Sequence, residues 1–431
     1  MTIKNEESSY YSVMKLKLKD GEEPLGRVVG HSKQKEELIN IINWFNKSKE
    51  LKEKGISIPR GILLYGRPGN GKSLLMKEIM KCVDAPCFVF KGDGENVAEE
   101  IEETFKKANE TGHAVIVIDE LDLLLDKDCR VTRILQDNLD GVESGDDILV
   151  IAATNNRIDI PEPLRRPGRL ERIIHIPFPS GEEAVELLKM HFKKMNVSLP
   201  NDIDDGDLAR TLEFVSGASI KSLANDVVLR NGFENITCEM IGKSLAIIEG
   251  RASHCNENDY YETAVHEAGH AVMANHFKEH YQLSRLNIGL MGGYLCCKET
   301  KENCWPYDKI IADIMICYAG LISEKVIIGV GDRGCEDDLQ NARIDAYNAI
   351  NMVGYKGCYR TLPEVQPHNN YRTESQKKKR NNEILIERLL KKCERKTTRF
   401  VKKHKKDIIT LADKLYEKKF LTAKEVYETI N

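Results

Sequence analysis

The pentapeptide His266-Glu267-Ala268-Gly269-His270 carries the residue types and the spacing of a metal-dependent hydrolase. Four residues of α-helix turn through about 400°, so the two imidazoles sit nearly one above the other on one helix face. Two neutral imidazole nitrogens at that separation can hold one zinc ion. Glu267, one position round the helix, can reach a water on the open side of the metal. Zinc lowers the pKa of such a water to about 7, and the glutamate would take its proton as the water attacks a peptide carbonyl. The competing interpretation is a surface helix that carries two histidines and a glutamate by accident. A third protein ligand is needed, and spacing alone does not choose among Glu324, Glu336, Asp337 and Asp338. His276 and His280 read as surface residues.

A second motif lies upstream. Gly66-Arg67-Pro68-Gly69-Asn70-Gly71-Lys72-Ser73 follows the pattern G-x-x-x-x-G-K-[ST]. It stands between the apolar run Gly61–Tyr65, read as a buried strand, and a helix expected from Leu74 to Cys82. Its glycines let backbone N–H groups wrap phosphates, and the helix N-terminus adds a favourable dipole. Lys72 would neutralise the β- and γ-phosphates, and Ser73 would ligate magnesium. The β-branched run Val115–Ile118 suits a central parallel strand and ends in Asp119-Glu120. Asp119 would hold magnesium through water, and Glu120 would orient or deprotonate the attacking water. The expected strand 148–152 leads to Thr154-Asn155, whose polar groups can meet the γ-phosphate or that water. The arginine-rich segment 164–172 invites a finger supplied in trans to a neighbour's phosphates.

Composition limits the alternatives. The chain of 431 residues, 41% hydrophobic and 31% charged, has room for two or three soluble domains. A net charge of −4 gives no general electrostatic case for nucleic acid. None of the twelve cysteines falls in a C-x-x-C pair, so they read as reduced core residues in a reducing compartment. The most apolar stretch, 310–330, is interrupted by Asp313, Glu324 and Lys325, which makes it a buried amphipathic helix rather than a membrane span. The N-terminus has no apolar signal core, and its acidic residues argue against a transit peptide. These features describe a soluble, intracellular, most simply cytoplasmic protein.

The elements around the motifs follow from apolar periodicity. Leu38, Ile41, Ile42 and Phe45 mark a helix between Gly30 and Lys54. Residues 1–24 read as a flexible polar lead-in. Residues 181–249 carry helical patterns at 184–194, 207–214, 220–231 and 240–248, and a polar boundary follows near 250–258. After the His266 helix come a hairpin pairing 285–289 with 294–298, helices at 307–328 and 337–352, and a loop at 363–374. From Lys377 to Lys406 there are fourteen Lys/Arg and three Asp/Glu. Ile386, Leu389, Leu390, Cys393, Thr397, Phe400 and Val401 nevertheless keep an apolar face, so this segment is expected to be a packed helix with a basic solvent side.

With these residues placed, the chain resembles the FtsH family of ATP-dependent zinc metalloproteases, from about Arg27 to the C-terminus. The likeness rests on Val29-Gly30, the phosphate loop, Asp119-Glu120, Ala152–Asn155, Arg166-Pro167-Gly168-Arg169, the segment 263–271 and Leu421-Thr422. It implies an α/β AAA P-loop domain (parallel sheet with flanking helices) at 25–178 and a helical lid at 179–252. A mostly α-helical zinc metallopeptidase domain would follow at 253–431. It also implies Val29 and Gly30 near the adenine with His191 beside it, the loop through Leu74 on the phosphates, and Arg166 and Arg169 as intersubunit fingers. Asp338 would be the third zinc ligand, through alignment of Gly334–Leu339. The implied cofactors are one zinc ion per subunit, ATP and magnesium. The implied assembly is a homo-hexameric ring that draws protein substrates into a protease chamber.

Four departures stand out. No transmembrane helix is found, so membrane recruitment would need a partner. The region Gly92–Val97 lacks the aromatic residue of the family's pore loop. Asp140-Gly141-Val142 stands where Asp-Gly-Phe is usual, and Ser219 follows Gly217-Ala218 in place of an Asp. They leave open a remodelling ATPase with a silent or structural zinc site, and more distantly a scaffold that binds ATP without hydrolysing it.

Overall fold

Aliphatic residues fill the runs that become β2 (Gly61–Tyr65), β4 (His113–Ile118) and β5 (Asp147–Thr154), the central strands of a sheet covered on both faces. The computed structural model describes residues 11–430 apart from 20, 93–95, 141–146, 198, 200–202, 234–235, 249–256, 290–291, 301–306, 330, 332–334 and 352–375. The chain divides into two compact units, Met1–Leu187 with Phe214–Lys221, and Leu188–Glu213 with Ser222–Asn431.

In the first unit, β1 (Tyr11–Met14), β3 (Cys87–Phe90) and β6 (Arg172–His175) complete a six-stranded sheet of order β1-β3-β4-β5-β2-β6. All pairs are parallel except β1 with β3. Alternation along each strand sorts the core. Val115 and Val117 join Ile62, Leu64 and Ile151 beneath Leu38, Phe45, Leu75 and Ile79. Ile116 and Ile118 join Leu63, Val150 and Ala152 beneath Ile101 and Phe105. This strand order sets the carboxyl ends of β2, β4 and β5 side by side, so the loops leaving them converge, as in open α/β sheets generally.

Two sequence expectations differ here. Tyr11–Met14, within the expected flexible lead-in, is an edge strand whose buried Tyr11 ring lies 5.4 Å from Phe88. The single helix expected between Gly30 and Lys54 is two, Ser32–Asn46 and Ser48–Glu53, broken at Lys47. The break lets Ser48 Oγ donate to the buried carboxylate of Asp147 at 2.7 Å, with Lys52 pairing to the same group. An unpaired charge there would be costly.

In the second unit, the Glu257–His276 helix packs with the Tyr307–Ile327 and Lys405–Lys418 helices and with strand β7 (Tyr281–Gly289). Strands β8 (Gly292–Glu299) and β9 (Phe420–Thr422) flank β7 in an antiparallel sheet of order β8-β7-β9, so the expected hairpin forms. The basic segment is the Gln376–Lys403 helix, and Ile386, Leu389, Leu390, Cys393, Thr397 and Val401 are buried, as its apolar face required. The four helices expected between 181 and 249 are present as Gly181–Lys194, Asp205–Thr211, Gly217–Asn231 and Cys238–Ile248. The second stops at Thr211 rather than 214, where Phe214 takes φ 60°.

Among the described residues no helix is long and apolar enough to cross a membrane. The expectations for the pore-loop residues 93–95, for Gly141-Val142, for most of the boundary at 250–258, for Gly334 and for the loop at 363–374 lie outside the described residues.

Candidate functional site

The loop after β2 carries the first cluster of chemistry. Gly69 and Gly71 take φ of 81° and 91°, which side-chain-bearing residues avoid, and the Lys72–Cys82 helix starts directly behind them. Lys72 Nζ donates to the carbonyls of Gly66 (2.6 Å) and Arg67 (3.2 Å) and to Asn155 Oδ1 (2.9 Å). Asn155 lies just beyond β5, so strand order alone brings it to the lysine. Burial works to lower the Lys72 pKa, and the negative charges of Asp119, Asp122 and Glu120 oppose it. Ser73 Oγ donates to Asp119 Oδ2 at 2.6 Å, joining the two groups expected to serve one magnesium ion. Glu120 follows at the end of β4 with φ 51° and ψ 48°, a conformation that costs a non-glycine residue energy and is found most often at functional positions. Arg67, Pro68 and Leu74 are exposed on the loop's surface, and Asn70 is buried.

The other residues nominated for this cluster have distinct surroundings. Val29 and Gly30 are half-buried in the segment ahead of the Ser32–Asn46 helix. Arg166 is exposed and pairs with Glu162 at 3.2 Å. Arg169 is instead held by its own chain: its Nε donates to Asp140 Oδ1 at 2.7 Å, its Nη2 donates to Asp140 Oδ2, and its Nη1 donates to the Pro163 carbonyl. His191 lies in the Gly181–Lys194 helix, within the second compact unit.

The second cluster is built on the Glu257–His276 helix. His266 Nε2 and His270 Nε2 are 2.8 Å apart, and Asp338 Oδ2 is 3.1 Å from each. These three are the one group of metal-competent side chains found among the described residues. Asp338 opens the Glu336–Asn351 helix, while Glu336 and Asp337 beside it face solvent. Geometry thus selects Asp338 from the four carboxylates that spacing left open. Tetrahedral zinc with ligands at about 2.0–2.1 Å needs donor atoms roughly 3.3 Å apart, so this triad has to open by only a few tenths of an ångström.

Each imidazole is oriented from behind. His266 Nδ1 lies 2.5 Å from Glu324 Oε1, and His270 Nδ1 lies 2.7 Å from the Ile316 carbonyl. In the neutral rings both partners accept from Nδ1–H, which leaves the two Nε2 lone pairs to a metal ion shared with Asp338. Burial works to lower the His266 pKa, but hydrogen bonds to Asp338 and Glu324 outweigh it and push the value up to about 10. Against the opposing effect of burial, hydrogen bonds from His266 and His270 hold Asp338 well below the usual carboxylate range. Glu267 is 7% exposed and lies against β8, where a Cβ on Gly293 would come within 2.1 Å of its Cγ.

Spacing named His266, Glu267 and His270 and the family resemblance nominated Asp338, but neither marked the groups that support them. Glu324 entered only as a possible ligand, and nothing in the spacing marked Ile316, Gly293 or Asp140. Their roles depend on contacts between elements far apart in the chain.

The phosphate-loop residues and the His266 triad each fall within a segment that matches a known family. Residues 62–178 match the family model for the ATPase family associated with various cellular activities (AAA), and residues 254–429 match that for peptidase family M41. The ATP-dependent zinc metalloprotease FtsH of Aquifex aeolicus is 32% identical over 76% of this chain and 56% of that protein. FtsH 1 of Thermomicrobium roseum is 29% identical over 76% of this chain and 54% of that protein, and FtsH of Borreliella burgdorferi 27% over 94% and 68%. The chain thus spans little more than half the length of most such relatives.

Proposed function

Because this chain belongs to the FtsH family, with an AAA domain followed by a peptidase family M41 domain, we propose that it is an ATP-dependent zinc metalloendopeptidase that unfolds and degrades proteins inside the cell. The observation that carries this reading is the convergence of His266 Nε2, His270 Nε2 and Asp338 Oδ2 on one point, with the buried Glu267 next to His266 on the same helix.

A zinc ion held by those three side chains supplies Lewis acidity to the attacking water and the scissile carbonyl. The rest is done by the chain's own residues. Glu267 takes the water's proton and returns it to the departing amide nitrogen. Glu324 and the Ile316 carbonyl keep both imidazoles in one tautomer and orientation. In the AAA domain, Lys72 meets the β- and γ-phosphates, Ser73 and Asp119 hold magnesium, and Glu120 with Asn155 orients the water that attacks ATP. Val29 and Gly30 contribute to the base site. Of the two arginine fingers, Arg166 is exposed and reaches a neighbouring subunit, so hydrolysis requires a ring, read here as a homo-hexamer. Arg169 has first to leave Asp140.

The test is degradation of casein by the full chain with magnesium and ATP. Cleavage should be ATP-dependent and stopped by a zinc chelator, and Glu267→Gln should abolish it while ATP hydrolysis continues. Chelator-insensitive cleavage, or none under any condition, would leave a remodelling ATPase with a silent metal site. That alternative is not favoured, given the peptidase family M41 match and the FtsH relatives.

A further inference from the structure

We propose that Glu183 is a positioning residue of the nucleotide site, latching the Gly30–His31 segment against the phosphate loop; this rests on the reading of that loop as nucleotide-binding. Ser180 and Glu183 form a capping box at the start of the Gly181–Lys194 helix. Ser180 Oγ accepts the Glu183 N–H at 3.3 Å, and Glu183 Oε2 accepts the Ser180 N–H at 2.9 Å. A capping box needs one carboxylate oxygen. Here the other, Oε1, accepts the backbone N–H of His31 at 3.0 Å, from a residue 152 positions earlier in the chain.

This approach is possible because residue 30 is glycine. A Cβ there would lie 2.5–2.7 Å from the Glu183 carboxyl atoms, and φ is +75°. His31 is 6% exposed and left-handed, with φ 56° and ψ 37°, a conformation that persists for a non-glycine residue only where its surroundings hold it. The backbone of Asn70, inside the Gly66–Ser73 loop, is among the groups that act on the His31 ring. Asn70 in turn donates through Nδ2 to the Ile176 carbonyl at 3.2 Å, just past β6. Glu183, His31 and Asn70 therefore link a helix cap to the loop whose amides face the phosphates. Without the carboxylate, the strained His31 loses its backbone acceptor, and the loop loses the support that leans on it.

The experiment compares full-length variants for binding of magnesium-ADP by calorimetry and for steady-state hydrolysis of magnesium-ATP. Glu183→Ala removes a charge-assisted hydrogen bond and should raise the Kd and KM roughly tenfold. Its kcat should stay within about twofold of wild type. Ser180→Ala removes the serine half of the capping box and leaves both bonds to the Glu183 carboxylate. It should lower the Tm without changing the Kd. Should Glu183→Ala not fold, Glu183→Gln, which can accept only one of the two N–H groups, should weaken binding in the same direction by a smaller factor. Wild-type affinity in both Glu183 variants, or equal weakening by Ser180→Ala, would overturn the latch. A wild-type chain that does not bind magnesium-ADP would overturn the nucleotide reading itself.

Discussion

His266 Nδ1 and Glu324 Oε1 lie 2.5 Å apart, with both residues more than nine-tenths buried. The contact commits one nitrogen of the imidazole and leaves the other for the metal. Glu324 is therefore a support of the zinc site rather than a ligand, although its residue type suited either role.

Removing that support should weaken the metal without abolishing the site. Glu324→Gln is expected to lower zinc affinity about 10–100-fold, the usual cost of losing such a partner. Asp338→Asn should release zinc during dialysis against a mild chelator, whereas the solvent-facing Asp337→Asn should retain it. Zinc content measured after dialysis distinguishes these outcomes, and zinc loss from Asp337→Asn alone would shift the third ligand by one residue.

The wall facing the general base can be tested separately. A methyl group at position 293 would meet Glu267 Cγ at 2.1 Å, so Gly293→Ala must displace the carboxylate or the strand. Cleavage should fall by two orders of magnitude or so, the contribution expected of a positioned general base. Zinc content should stay at the wild-type level. A fully active Gly293→Ala would show that Glu267 does not act from this position.

The motor should fail in two different ways. Lys72→Ala removes the cation from the loop and should prevent nucleotide binding. Glu120→Gln should bind ATP and hold it unhydrolysed, because the proposed role of this residue, exposed beyond the end of β4, is to orient the attacking water. A single-turnover assay separates the two, and wild-type hydrolysis by Glu120→Gln would remove that residue from the reaction.

Stability should fall as pH rises from the acidic range to neutral. Burial, with the Asp345 carboxylate nearby, pushes the Asp313 pKa up to about 7. Lys309 Nζ is 3.5 Å from Asp313 but 3.1 Å from Glu299, so its charge is shared. A folded pKa above the unfolded value means that the group's stabilisation is complete below the unfolded pKa near 3.8 and is lost as pH rises through about 7. The Tm of the chain should decline over that interval, and Asp313→Asn should flatten the decline. An unchanged slope would place its origin in another group.

Much of this protein was legible without coordinates because its chemistry is encoded at short range. Helical period alone stacks His266 over His270, and a strand that runs into Gly66–Ser73 can only present backbone amides to an anion. The packed face of the basic Gln376–Lys403 helix was readable for the same reason, since apolar spacing reports a buried side whatever the charge opposite. The third ligand was different. Four carboxylates had suitable chemistry that spacing did not separate; the family resemblance nominated Asp338, and the approach of the Glu336–Asn351 helix to the His266 helix sets it against the imidazoles.

What the amino-acid order determined by itself was therefore the two kinds of chemistry and the elements that carry them, because periodicity and loop conformation act over a few residues. The tertiary structure alone decided which distant groups meet: Glu324 on His266, Asn155 on Lys72, Asp140 on Arg169 and Glu183 on His31. Those pairings span 29 to 152 positions of sequence, and they follow from strand order and helix packing, for which local spacing holds no signal.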